Sequence, residues 1–162
     1  MESTTTTVEA RPARRDLTAG VYGVRHNLPG GGWIRVVPRI GNMAMLKKRD
    51  ALLAARRQER GLEIDKDLPI HDVMDIGIRT VLGTAITGWG DFVLDAKDVL
   101  APSANHRPDE PLPADVEDSG VQLLLLLDVQ REVYEVLDQV DALHRKSVEV
   151  AEGNSPAGSD SN

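Results

Sequence analysis

The chain contains no cysteine. Disulfides, thiolate-bound zinc and thiol nucleophiles are therefore excluded, and the lack of cysteine fits a reducing compartment. Aromatic residues are scarce: two Trp, two Tyr and one Phe in 162 residues. The core must rest on aliphatic side chains, which favours helix over sheet. Long apolar runs are also missing. The longest, Leu123 to Leu127, has five residues, whereas a membrane helix needs about 20. The N-terminus MESTTTTVEA has no apolar stretch of the kind a signal peptide requires. A soluble protein with no membrane partner is expected.

What is present is a moderately charged chain of one domain's length, with an uneven charge distribution. Residues 1–60 carry a net charge of +7 and residues 61–162 carry −14. Such asymmetry means either a basic end for an acidic partner or two halves that face each other in the fold. Residues 1–17, with a Thr run and mixed charge, are expected to be a disordered N-terminal arm. Residues 152–162, EGNSPAGSDSN, are expected to be a disordered tail. Between them, residues 18–151 form a single domain in this reading.

The domain reads as mainly α: about four helices with a short N-terminal β-hairpin. Val21, Tyr22 and Val24 precede a Pro-Gly-Gly-Gly turn, and Trp33, Ile34, Val36 and Val37 follow it. This is a hairpin pattern, and the glycines match no phosphate-loop spacing. Asn42 is a suitable N-cap for a helix reaching about Arg60, where Gly61 stops it. Leu46 and Leu53 lie on its apolar face. Lys47, Lys48, Arg49, Arg56, Arg57 and Arg60 make the remainder basic, so a DNA-binding regulator is one function class to weigh. The chain as a whole is acidic and no aromatics interleave, which disfavours nucleic acid.

Pro69 suits a helix start. Ile70, Met74, Gly77, Ile78, Val81, Ala85 and Trp89 recur at spacings of three and four, which predicts one amphipathic helix of about 20 residues ending at Gly88 and Gly90. Trp33, Leu46, Leu53, Met74, Ile78, Val81 and Trp89 are the expected core. Phe92-Val93-Leu94 reads as a short strand that adds to the hairpin. APSANHRPDEPLP is a long loop. A helix from Ala114 runs through the five leucines, which point all around it, so the helix is either fully buried or partly covered by another chain. A final helix to about Val150 carries Val129, Val133, Val136, Leu137, Val140 and Leu143. Its polar face is acidic: Asp128, Glu132, Glu135, Asp138 and Asp141. Leu123, Leu124, Leu126, Leu127, Val129 and Val133 are the candidate partner-binding residues.

No constellation argues for an enzyme. Asp91, Asp95 and Asp98 lack the Gly and Glu of a calcium loop. His26, His71, His106 and His144 share no metal-ligand spacing, and no hydrolase or zinc-protease motif occurs. No catalytic residue, metal or cofactor is expected.

The succession of elements carries a resemblance. A hairpin precedes an Asn-capped basic helix in GGGWIRVVPRIGNMAMLKKRDALLAARRQ. IHDVMDIGIRTVLGTAITGWGDF ends in a Gly-Trp pair. EPLPADVEDSGVQLLLLLDVQREVYEVL passes from Pro-rich to acidic to Leu-rich. Over roughly residues 33–143 this layout resembles the tail assembly chaperones of long-tailed, siphovirus-type bacteriophages, with Trp89, Pro113 and Leu123 to Leu127 carrying most of the likeness. The chain departs from that pattern in two places. Its loop DAKDVLAPSANHRPDEP replaces a short Asp-Gly turn, and Pro113-Ala114-Asp115 replaces a Ser-Pro-Glu helix start. The resemblance implies a non-catalytic protein of the host cell cytoplasm. It would bind the tape measure protein, keep it soluble and recruit tail tube subunits during virion assembly, with self-association also open. A structural virion component, such as a minor tail or connector protein, is the alternative of similar size and helical content.

Overall fold

The computed structural model describes residues 22–153. The expected arm over 1–17 lies outside this range, as does the expected tail over 152–162 apart from Glu152 and Gly153, which instead end the last helix. Two antiparallel strands, β1 (Val24–Asn27) and β2 (Trp33–Val36), form the hairpin. Its Pro-Gly turn closes through Leu28 N–H to Gly32 O at 2.9 Å. Four helices follow: α1 (Met43–Arg60), α2 (Ile70–Val81), α3 (Ala114–Leu124) and α4 (Leu127–Gly153). No helix among the described residues is long and apolar enough to cross a membrane.

α1 begins and ends where its capping chemistry dictates. Asn42 Oδ1 accepts from Met45 N–H at 3.0 Å, and Gly61 takes the left-handed conformation at φ +64°. No residue of α1 is fully buried, and Leu46 and Leu53 are only half-buried. They flank the core rather than form it. Trp33 is likewise half-buried, with the Arg25 guanidinium 4.4 Å above its ring.

The expected 20-residue helix is not formed. α2 stops at Val81, and Ile86–Gly90 is instead strand β3, paired antiparallel with β2. Two features enforce the stop. Leu82 is extended and Gly83 has φ +84°, and a Cβ on Gly83 would lie 2.8 Å from Leu112. The residues that follow include β-branched Thr84, Ile86 and Thr87, which suit a strand. The third strand of the sheet is therefore the Trp89 segment and not Phe92–Leu94. Val93–Leu94 (β4) pairs with Lys97–Asp98 (β5) in a separate two-stranded ribbon. Asp95 and Ala96 both have positive φ at its turn, as a tight two-residue hairpin requires.

The pairing of β2 with β3 is irregular at Arg35/Val36, where Arg35 faces Gly88 and Val36 faces Ile86, leaving Thr87 as the extra residue. Thr87 is buried. Its hydroxyl donates to Tyr22 O and accepts from Arg35 Nε at 3.1 Å, so the bulge ties the start of β1 to the sheet. The core lies between this sheet and the helices. Ile34, Val36, Ile86 and Trp89 from the strands meet Val81, Leu82, Val121, Leu124, Val133 and Leu137.

The Leu-rich region is not one helix either. A corner at Leu125–Leu126 separates α3 from α4. The buried residues of α3 are Gly120, Val121, Leu123 and Leu124, and those of α4 include Val133, Val136 and Leu137. On one straight helix, at about 100° per residue, these two sets would face nearly opposite sides. The corner turns both towards the same core.

Candidate interaction surface

Ion pairs join the basic first part of the chain to the acidic second part. Arg56 meets Asp72 at 2.5 Å and Asp75 at 2.7 Å, and Arg60 meets Asp72 at 3.0 Å. Lys48 donates to Glu117 and, at 2.7 Å, to Leu82 O. Arg79 bridges Asp75, Glu117 and Asp118, each at 3.1 Å. The Asp72 carboxylate is fully buried, and hydrogen bonds from Arg60 and then Arg56 hold it below the ordinary value of 3.8 against the opposing effect of burial. Half of the six cations of α1 expected on a solvated or phosphate-binding face thus dock α1 onto α2 and α3.

The acidic face of α4 is divided in the same way. Asp141 accepts from Arg39 N–H at 2.9 Å and from Arg39 Nε at 2.7 Å, and Asp138 accepts from Arg39 Nη2 at 2.6 Å. Glu132 accepts from Gly30 N–H at 2.9 Å. These three carboxylates fasten α4 to the hairpin. Asp128 and Glu135 remain exposed.

The candidate partner-binding residues separate sharply. Leu123, Leu124 and Val133 are core, and Val129 is half-buried. Leu126 and Leu127 are 42% and 73% exposed, and their neighbour Leu125 is 61% exposed. Three consecutive leucines are thus uncovered at the α3–α4 corner. The expectation that Leu123, Leu124 and Val133 form a groove wall is corrected: they hold α3 and α4 on the sheet. The corner's apolar surface continues into a groove with Phe92, Val93 and Leu94.

A second uncovered apolar surface lies on α2. Met74 is 60% exposed, so it is not a core residue as expected, and Ile70 and Val73 are exposed beside it. Gly77 faces open space on the same stripe. The stripe is real, but only its last turn, Ile78 and Val81, is covered. The opposite face is drawn inward instead, with Asp72, Ile76 and Thr80 buried.

The acidic residues and histidines singled out in the sequence lie apart. Asp91 stands 3.9 Å from Arg25, and Asp95 lies at a turn. Among the described residues no group of three His, Cys, Asp or Glu is placed to hold a metal ion. His106 is buried with Nε2 2.8 Å from Gly83 O, pinning the Pro-rich loop over the end of α2. Nothing in the spacing of His106 signals this structural role. No family model, no curated protein and no solved structure matches the chain.

Proposed function

We propose that the protein is a tail assembly chaperone of a long-tailed bacteriophage. In this role it binds the tape measure protein, keeps it soluble in the host cytoplasm and helps to recruit tail tube subunits. The observation that carries the proposal is the run Leu125–Leu126–Leu127, three consecutive leucines uncovered at the α3–α4 corner. A contiguous apolar patch on a small domain marks a protein-binding surface, and an amphipathic helix of a long tape measure chain is a partner that needs such a surface covered. The sequence layout described above points to the same reading, although its Gly-Trp segment forms strand β3 and not the end of a helix, and its Leu-rich stretch is split between α3 and α4.

Co-expression with the tape measure protein of the same genome tests this. The proposal expects that protein in the soluble fraction with the chain and in the pellet without it. A pellet in both cases, with both proteins well expressed, refutes it. Many copies of the chain in purified particles would support a structural virion component instead. The DNA-binding alternative is weakened because Lys48, Arg56 and Arg60 are engaged within the domain.

A further inference from the structure

Between the hairpin turn and the first turns of α4 runs a groove of about 610 Å³. Phe92, Val93, Leu94, Leu126 and Val129 give it an apolar floor. Val93 is 66% exposed. Asp91, Asp128, Glu132 and Glu135 line the rim, together with Arg131. Glu132 is committed to Gly30 N–H and Asp91 is partly matched by Arg25. Asp128 and Glu135 form no ion pair among the described residues.

We infer that this groove receives an amphipathic helix of another protein, with an apolar stripe flanked by Lys or Arg. The apolar floor selects the stripe, since floor residues left in water gain by burial. The unmatched carboxylates select the flanks: cations opposite Asp128 and Glu135 are favoured, and an acidic helix would set like charges together. The groove wall formed by residues 128–135 of α4 spans roughly 11 Å, or about two turns of a docked helix. A second copy of the chain is a poorer match. The exposed end of its α4 carries Arg145 and Lys146, but also Glu149 and Glu152. The inference rests on the protein-binding part of the proposed function and not on the identity of the tape measure protein.

The test uses the full chain with Val93 replaced by a benzophenone-bearing amino acid. The probe is a Leu/Lys amphipathic peptide of about five turns, with a Leu/Glu peptide of the same pattern as control. The expected result is a crosslink to the Leu/Lys peptide and none to the Leu/Glu peptide. The double variant Asp128→Lys, Glu135→Lys should bind the Leu/Lys peptide about tenfold more weakly at low salt and gain affinity for the Leu/Glu peptide. Both positions are exposed, and the only expected cost is the loss of the acidic first-turn residue of α4, so its thermal midpoint should fall only slightly. A crosslink to a second copy, or to residues 1–21 of the same chain, would overturn the inference in favour of that occupant. Failure of the Leu/Lys peptide to bind, or binding that the double variant leaves unchanged, would overturn it outright. The two proposals fail separately. Peptide binding without rescue of the tape measure protein removes the chaperone reading and keeps the groove. Rescue that persists in the double variant keeps the chaperone and removes the groove.

Discussion

Replacing Trp89 with Ala removes the largest side chain of the core. Trp89 is 2% exposed, lies opposite Ile34 on β2, and its ring is close enough to α3 that a Cβ on Gly120 would sit 3.0 Å from it. Its indole N–H donates to Leu100 O at 2.7 Å, which ties the long connection to the sheet. Truncating a buried Trp to Ala costs about 3–5 kcal/mol. The lost hydrogen bond adds little, because Leu100 is itself half exposed and its carbonyl can turn to water. A domain of this size is stable by about 5–15 kcal/mol, so Trp89→Ala should remain folded but only marginally. With a urea slope of about 2 kcal/mol per molar, the midpoint falls by roughly 2 M. Circular dichroism is the appropriate readout, since Trp33 alone then reports by fluorescence. Trp89→Phe keeps most of the volume and loses the hydrogen bond, for a cost of about 1–2 kcal/mol. A loss below about 1 kcal/mol in Trp89→Ala refutes the core assignment. If such a stable variant also fails to bind the tape measure protein, Trp89 belongs to an interface.

Asp72 sets an acid limit. Its carboxyl titrates lower in the folded chain than the ordinary 3.8, so it contributes stability that is complete above that value and is lost as the pH falls below it. Asp72→Asn should lower the urea midpoint at neutral pH; the midpoints of the two proteins should converge as the pH falls below 3.8, and a constant gap would contradict the ion-pair account. Gly23→Ala should lose about 2–3 kcal/mol in urea unfolding, because φ is +93° and the new Cβ would meet Val36 O at 2.7 Å; wild-type stability would show that β1 can shift. The triple change Leu125→Ser, Leu126→Ser, Leu127→Ser should alter stability by less than about 1 kcal/mol while abolishing rescue of the tape measure protein, as read by thermal melting and solubility side by side. A mobility-shift assay at low salt should show no DNA complex, and a salt-sensitive one would restore the role of the basic helix.

Local chemistry was legible wherever one residue decides the backbone. Asn42 and Gly61 delimited α1, and the Pro-Gly turn placed the hairpin. The Trp89 segment misled because Ala85 and Trp89 fall on the helical stripe of Ile78 and Val81, and because Ile86 and Trp89, three residues apart, break strand alternation unless a bulge such as that at Thr87 intervenes. Gly83 was the contrary signal, and its need for positive φ becomes decisive only with Leu112 packed against it. The corner at Leu125–Leu126 has no Pro or Gly to mark it, yet the apolar phase changes there by nearly half a turn, which a sequence can reveal. The candidate site was half legible: exposed leucines were expected within Leu123–Leu127, but which of them depended on that corner. The partners of Arg39, Arg56 and Lys48 lie 16 to 102 residues away, so charge counts indicated that the halves attract without saying which residues meet.

Those separations govern how the domain forms. The sheet is complete only when β3 reaches β2, some fifty residues later, and α4 is fixed only when Asp141 meets the backbone at Arg39, 102 residues back. Loop closure must precede both rewards, so the domain should fold more slowly than a helical bundle held by local contacts alone. A nascent chain ending before Leu127 lacks the whole helix that covers β2. The sheet therefore gains its full cover only once α4 has been made.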